Sequence, residues 1–155
     1  MAPTDRPDAE PDLGIVDALV QLSFAVQASL GAVAARHDLS VIQLRLIGVL
    51  RDREPGMLDL ARALNLEKSS ATGLVDRAQR RGLVERIDAA HDGRAVHVRL
   101  TAAGHAVARA VAADAAEHVA QLTEGMAERD RARLARLASR VAFQDAARRG
   151  FDLRT

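Results

Sequence analysis

The side chains best suited to recognition chemistry lie close together in the middle of the chain. Lys68, Ser69, Ser70, Thr72, Gly73, Asp76, Arg77 and Arg80 mix small hydroxyl-bearing residues, a glycine and cations, and Asp92, Gly93 and Arg94 follow shortly after. Small side chains let a backbone come close to base edges and phosphates, and arginine donates to guanine O6 and N7 in a forked geometry. A helix N-terminus at this place adds unsatisfied N–H groups that favour a phosphate. The chemistry indicated is recognition of double-stranded DNA.

Catalytic chemistry has no comparable set. The chain carries no phosphate-cradling glycine loop, no nucleophile elbow and no convincing acid–base pair, so no enzymatic activity is expected. His37, His91, His97, His105 and His118 never fall at His-x-x-x-His spacing or beside carboxylates at ligand spacing, so neither a metal nor another cofactor is expected. The absence of cysteine excludes disulfides, thiolate metal sites and cysteine redox sensing.

A net charge of +1 neither demands nor excludes a polyanion, because local clustering matters more than the total. Between Arg77 and Arg99 six arginines face three acids, which concentrates positive charge in one segment. Only 2% of residues are aromatic, so Leu, Val and Ala must do the packing, which favours helices lying close together. No apolar run is read as approaching the roughly 20 residues of a membrane span. Met1 to Asp12 is Pro- and acid-rich, unlike a signal peptide, and reads as a disordered leader. A soluble, cytoplasmic protein without a membrane partner is the expectation.

The elements that must position the central residues follow from periodicity. Leu13 to Arg36 is a long helix with apolar recurrence at Ile15, Leu19, Leu22, Val26, Leu30 and Val33. Ser40 caps a second helix through Leu44, Ile47 and Leu50, which ends before a turn at Pro55-Gly56. Two short amphipathic helices follow. Met57, Leu60, Ala61 and Leu64 form the apolar face of the first, and Ala71, Leu74, Val75 and Ala78 that of the second. Gly82 stops the second helix, and the period then changes to two: Val84, Arg86 and Asp88 alternate with Leu83, Glu85 and Ile87. A returning strand over Ala95 to Leu100 and a turn at Asp92-Gly93 complete a β-hairpin. Thr101 caps a helix to Leu122, and a last helix from about Glu128 to Arg149 carries Leu134, Leu137 and Val141 on one side.

With Ala71, Leu74, Val75 and Ala78 inward, Ser69, Thr72, Gly73, Asp76 and Arg80 face outward, and Ser70 and Arg77 lie on the flanks. A mid-helix glycine costs about 1 kcal/mol relative to alanine, so close approach by DNA or by a neighbouring backbone would explain Gly73. An ordinary surface helix with a Ser-rich start fits the helix alone, and an incidental arginine at a turn fits the hairpin alone. Helix, helix, strand, strand in this order is a winged helix-turn-helix, and the combination favours DNA. Asp92 is expected to orient Arg94.

The same residues resemble the MarR family of winged-helix regulators. Leu60-Ala61, Ser69-Ser70-Ala71-Thr72, Gly82-Leu83-Val84-Glu85-Arg86, Asp92-Gly93-Arg94 and Leu100-Thr101-Ala102-Ala103-Gly104 match that family's motifs in order. Gly93 stands where the family usually has arginine, which implies looser wing binding. The resemblance implies a mainly α, α+β fold with long terminal dimerisation helices and a two-stranded β-wing. It further implies a homodimer acting as a ligand-responsive repressor on a pseudo-palindromic operator. The implied organisation is a leader over 1–12 and a single domain over 13–155. Within it, 13–50 and 102–155 would dimerise and 51–101 would be the DNA-binding lobe. A winged-helix module acting through protein contacts or non-specific DNA binding is the alternative. The family also implies a small aromatic or anionic effector. Phe24, His37 and Arg45 lie on helices that would line its pocket, but no ligand residue is assigned.

Overall fold

The computed structural model describes residues 12–89 and 92–153; the leader expected over 1–12 lies almost wholly outside them. The elements run α1 (Gly14–Arg36), α2 (Val41–Leu50), α3 (Met57–Leu64), α4 (Lys68–Arg80), β1 (Val84–Ala89), β2 (Asp92–Leu100), α5 (Ala102–Gln121) and α6 (Glu128–Arg148). This is the expected mainly α arrangement with a two-stranded antiparallel wing.

The ends of the helices are written in the chain. Ser40 forms a capping box with Gln43: its hydroxyl accepts from the Gln43 N–H, and its own N–H donates to Gln43 Oε1 at 2.9 Å. Asp38, Asn65 and Gly82 take left-handed conformations (φ 54°, 56° and 69°) just after α1, α3 and α4. Each is followed by a leucine whose N–H reaches back to the helix: Leu39 to Ala34 O, Leu66 to Ala61 O, and Leu83 to Ala78 O, at 2.8–3.0 Å. This reverse turn satisfies orphan carbonyls and directs the leucine inward; Leu39 and Leu83 are buried. A polar or glycine residue followed by leucine is thus one stop signal used repeatedly.

The core is shared by α2, α3, α4 and the hairpin. Leu46, Ile47, Leu50, Leu60, Leu64, Leu74, Val75, Val84 and Val98 are all fully buried, with Val33 of α1 and Val111 of α5 closing the sides. On the inner hairpin face Val84 pairs with Leu100 and Arg86 with Val98; Glu85 and Arg99 pair on the outer face. Thr101 accepts from the Gly104 N–H at 3.0 Å and donates its hydroxyl to Gly82 O at 2.6 Å. A Cβ on Gly104 would sit 2.0 Å from Leu83 O, so α5 crosses the wing at a distance only glycine allows.

Three local expectations change. Asp92-Gly93 is not the hairpin turn but lies inside β2; Ala89 pairs with Asp92, and the connection falls at 90–91, outside the described residues. The ladder is irregular here, Asp88 pairing with Val96 and Ala89 with Asp92, so the bend is absorbed within β2. Pro55-Gly56 is extended rather than a turn. Gly56 bridges His97, and Pro55, which has no N–H to offer, accepts from the Val98 N–H at 3.0 Å. Finally, α1 is long and apolar enough to cross a membrane by length and composition, contrary to the reading that no run approached a span. The scattered Gln and Ser residues hid that length. Its His37 end is tied to α5, where His37 Nε2 lies 2.9 Å from Asp114 Oδ2.

Candidate nucleic-acid interface

The second helix of the helix-turn-helix, α4, presents the central residues. Ala71, Leu74, Val75 and Ala78 are buried, which rotates the opposite face outward as the spacing requires. Lys68, Ser69, Ser70, Arg77 and Arg80 are exposed, and Thr72, Gly73 and Asp76 are half-buried. The side chains of Lys68, Ser69, Ser70, Arg77 and Arg80 have no partner among the described residues. Glu67 precedes α4 in an extended conformation without a side-chain cap, so the first N–H groups of the helix remain available to an anion.

Two members of the expected face are engaged within the protein. The Thr72 hydroxyl donates to Lys68 O at 2.9 Å, and the Asp76 carboxylate accepts from Arg86 Nη2 at 2.6 Å. Arg86 also donates through Nη1 to Gln79 Oε1 at 2.6 Å. Arg86 therefore clamps the inner face of the wing to one flank of α4. Asp76 is part of that clamp, which gives it a positioning task and neutralises its repulsion of phosphate.

The arginine-rich segment divides in the same way. Arg81 binds the α1–α2 connection, donating to Asp38 O at 2.6 Å, and Arg99 donates to Glu85 across the outer wing face at 2.7 Å. Arg77 and Arg80 point to solvent. The Asp92 and Arg94 side chains lie outside the described residues, as does that of His91; only the backbone placement of Asp92, Gly93 and Arg94 in β2 is known. Sequence reasoning missed Arg81, Arg86 and Arg99 as internal ties. Only for Arg86 was a signal present, its place on the inner strand face opposite Asp76 and Gln79.

Leaving aside the backbone of α4 itself, the nearest atom to a Cβ on Gly73 would be Arg77 Nη1 at 3.5 Å, an ordinary contact. Close packing within the chain therefore does not explain this glycine, and approach from outside remains.

A two-helix unit with a polar outer face beside a β-wing has counterparts among known proteins. The model of the MarR family aligns with residues 37–95, which span α2 to the wing. The HTH-type transcriptional regulator PecS of Dickeya dadantii (strain 3937) is 27% identical over 143 residues, 88% of this chain and 86% of PecS. The MarR family transcriptional regulator SPO1453 of Silicibacter pomeroyi DSS-3 superposes with a TM-score of 0.71 at 27% identity, over 87% of this chain and 97% of its own. The chain is similar to the MarR family. NadR, solved in complex with 4-hydroxyphenylacetate, shares the fold at 23% identity with a TM-score of 0.71, over 88% of this chain and 98% of its own.

That similarity supports a DNA-binding transcription regulator, and the relatives reported are regulators rather than enzymes. Most residues that carry the family resemblance build the scaffold. Leu60 and Ala61 are core, Gly82-Leu83 closes α4, Arg86 clamps the wing, and Thr101 with Gly104 seats α5.

The residues weighed for an effector pocket do not meet. Phe24 is exposed, His37 is held by Asp114, and Arg45 faces a cavity on the other side of α2. A small apolar cavity of about 150 Å³ lies between α2 and α5, lined in part by Leu44, Ile47, Val111 and Ala115.

Proposed function

We propose that this chain is a MarR-type regulator, a homodimeric, ligand-responsive repressor in which each copy inserts α4 into the major groove of one half of a pseudo-palindromic operator. The observation that carries the reading is the outer face of α4, where Lys68, Ser69, Ser70, Arg77 and Arg80 are exposed while the Arg86–Asp76 pair holds the wing alongside. In this reading Ser69, Ser70 and Thr72 contribute base preference, and Gly73 admits close approach. Lys68, Arg77 and Arg80 contribute affinity, and Arg94 with Asp92 supports from the wing.

Dimerisation is supported by apolar surface left uncovered on α1 and α6. Ile15, Val16 and Phe24 are 74%, 70% and 60% exposed, and Val141 is 52% exposed. Patches of this kind mark interfaces. A second copy covering them accounts for the span-like composition of α1 without a membrane, and the reading places the protein in the cytoplasm. Residues 13–50 and 102–155 then form the dimerisation region and 51–101 the DNA-binding lobe. An effector that is small and aromatic or anionic fits the same reading, since the shared fold accommodates 4-hydroxyphenylacetate in NadR.

The test is selection of bound duplexes from a random pool with the purified full chain. A palindrome with half-sites about one helical turn apart, bound at roughly 10⁻⁸ M or tighter at physiological salt, is expected. Equal binding to the selected sequence and to random duplex would leave only a module acting through protein or non-specific DNA contacts.

A further inference from the structure

A second concave site lies away from α4 and borders the α2–α5 cavity at Gly48 and Arg51. The chain beyond α6 folds back so that Arg149 donates to the last carbonyls of α3, Arg62 O at 3.2 Å and Ala63 O at 3.5 Å. Phe151 then lies under the Arg53 guanidinium, 4.7 Å from ring centroid to carbon. Between this segment, α2 and the α2–α3 connection is a cavity of about 640 Å³.

Its charge is one-sided. Arg45, Arg51, Arg53 and Arg149 line it, against the single carboxylate of Asp52. Arg51 is satisfied by Asp52 at 2.8 Å, a contact that holds the Asp52 carboxyl below its ordinary range. Arg149 is partly satisfied by Asp145 at 2.8 Å, yet its Nε is buried without a hydrogen-bond partner among the described residues. Arg45 and Arg53 have no carboxylate partner among those residues. Arg45 and Arg53 thus make no ion pair of their own among the described residues, although Arg53 lies within electrostatic reach of Asp52. Phe151, Val49 and Leu153 supply apolar wall between them. Forked guanidinium groups bind phosphate and carboxylate with directional, charge-assisted hydrogen bonds.

We propose that this cavity binds a small organic dianion, with its charges on one phosphate or on two carboxylates and its apolar body against Phe151. Arg45 and Arg53 neutralise the charge, and Arg149 adds to the positive wall. The site is independent of the operator reading, because its walls include no residue of α4 or the wing.

The experiment is calorimetric titration of the full chain without DNA at constant ionic strength, so its outcome does not depend on the repressor reading. The probes are phenyl phosphate, phthalate, benzoate and inorganic phosphate. Saturable binding of phenyl phosphate or phthalate at one site per chain is expected, tighter than benzoate or inorganic phosphate; which dianion binds better identifies the charge carrier. The double variant Arg45→Gln with Arg53→Gln, which leaves the core untouched, should weaken binding about tenfold or more. Phe151→Leu should remove the advantage of phenyl phosphate over inorganic phosphate, and Arg131→Gln on α6 should change nothing. Absence of saturable binding by both dianions, or unchanged binding by the double variant, overturns the proposal.

Discussion

The lobe from α2 to β2 and the helices at the two ends of the chain treat their apolar residues in opposite ways. In the lobe, Leu60, Leu64, Leu74, Val84 and Val98 are sealed within one copy. On α1 and α6, Ile15, Phe24, Leu137 and Val141 are left open. Each buried large aliphatic side chain contributes roughly 1.5–3 kcal/mol, so the lobe has its own reason to fold. The terminal helices obtain that contribution only when another surface arrives. The difference teaches that an apolar stripe records that a face leaves water, and does not record which molecule covers it.

The most damaging way to test the lobe's self-sufficiency is Gly104→Ala. Its Cβ would meet backbone at 2.0 Å, so α5 and the wing must separate. A loss of about 3 kcal/mol in urea unfolding is expected. An unchanged midpoint would show that the crossing tolerates a side chain and that the lobe is less tightly closed than described.

The complementary break is made on the open faces. Leu137→Lys with Val141→Lys removes nothing from the core of a single copy, so the folded lobe should persist by circular dichroism. Sedimentation should report a shift from dimer to monomer, and operator affinity should fall roughly 100-fold as two half-sites cease to be held together. Retention of the dimer would mean that α6 is not the covered surface.

A smaller effect separates stability from recognition within the lobe itself. Gly73→Ala would make only an ordinary contact with the Arg77 side chain, so the free protein should gain about 1 kcal/mol from helix propensity. The same change should weaken operator binding if DNA approaches here. Equal operator affinity, measured by fluorescence anisotropy, would withdraw Gly73 from the interface. Smallest is Arg86→Gln. The Arg86–Asp76 pair is partly exposed, with side chains 29% and 45% accessible, so thermal stability should fall by less than about 1 kcal/mol. Operator affinity should fall further than stability does, because the wing loses its register against α4 and Asp76 is left uncompensated.

Much of the lobe was legible before any coordinates. The inward set Ala71, Leu74, Val75 and Ala78, the stop at Gly82, and the caps at Ser40 and Thr101 all depend on neighbours within a few positions. Local physics decides them, and a single chain displays local physics fully. The turn placed at Asp92-Gly93 went astray because such a dipeptide reports a local tendency to bend. Where a hairpin bends also depends on the register held by pairs such as Val84–Leu100, and the irregularity near Asp92 moved the connection. Pro55-Gly56 went astray for a related reason, since its extended form is held by His97 and Val98, residues far along the chain.

The candidate site was legible as a set of residues and not as a set of roles. By itself the amino-acid sequence determined which residues α4 turns outward, because a helix with an apolar stripe has one orientation that buries it. It also carried the resemblance to the MarR family, because many of the motifs that mark the fold are capping and packing positions with fixed local geometry. The tertiary structure alone decided which charges remain available there. Arg81 and Arg99 look the same as Arg77 and Arg80 in a linear reading, and Arg86 is set apart only by its strand face, yet these three are engaged by Asp38, Glu85 and Asp76. A cation's availability depends on whether a distant carboxylate or carbonyl lies within about 3 Å, and only the folded chain sets that distance.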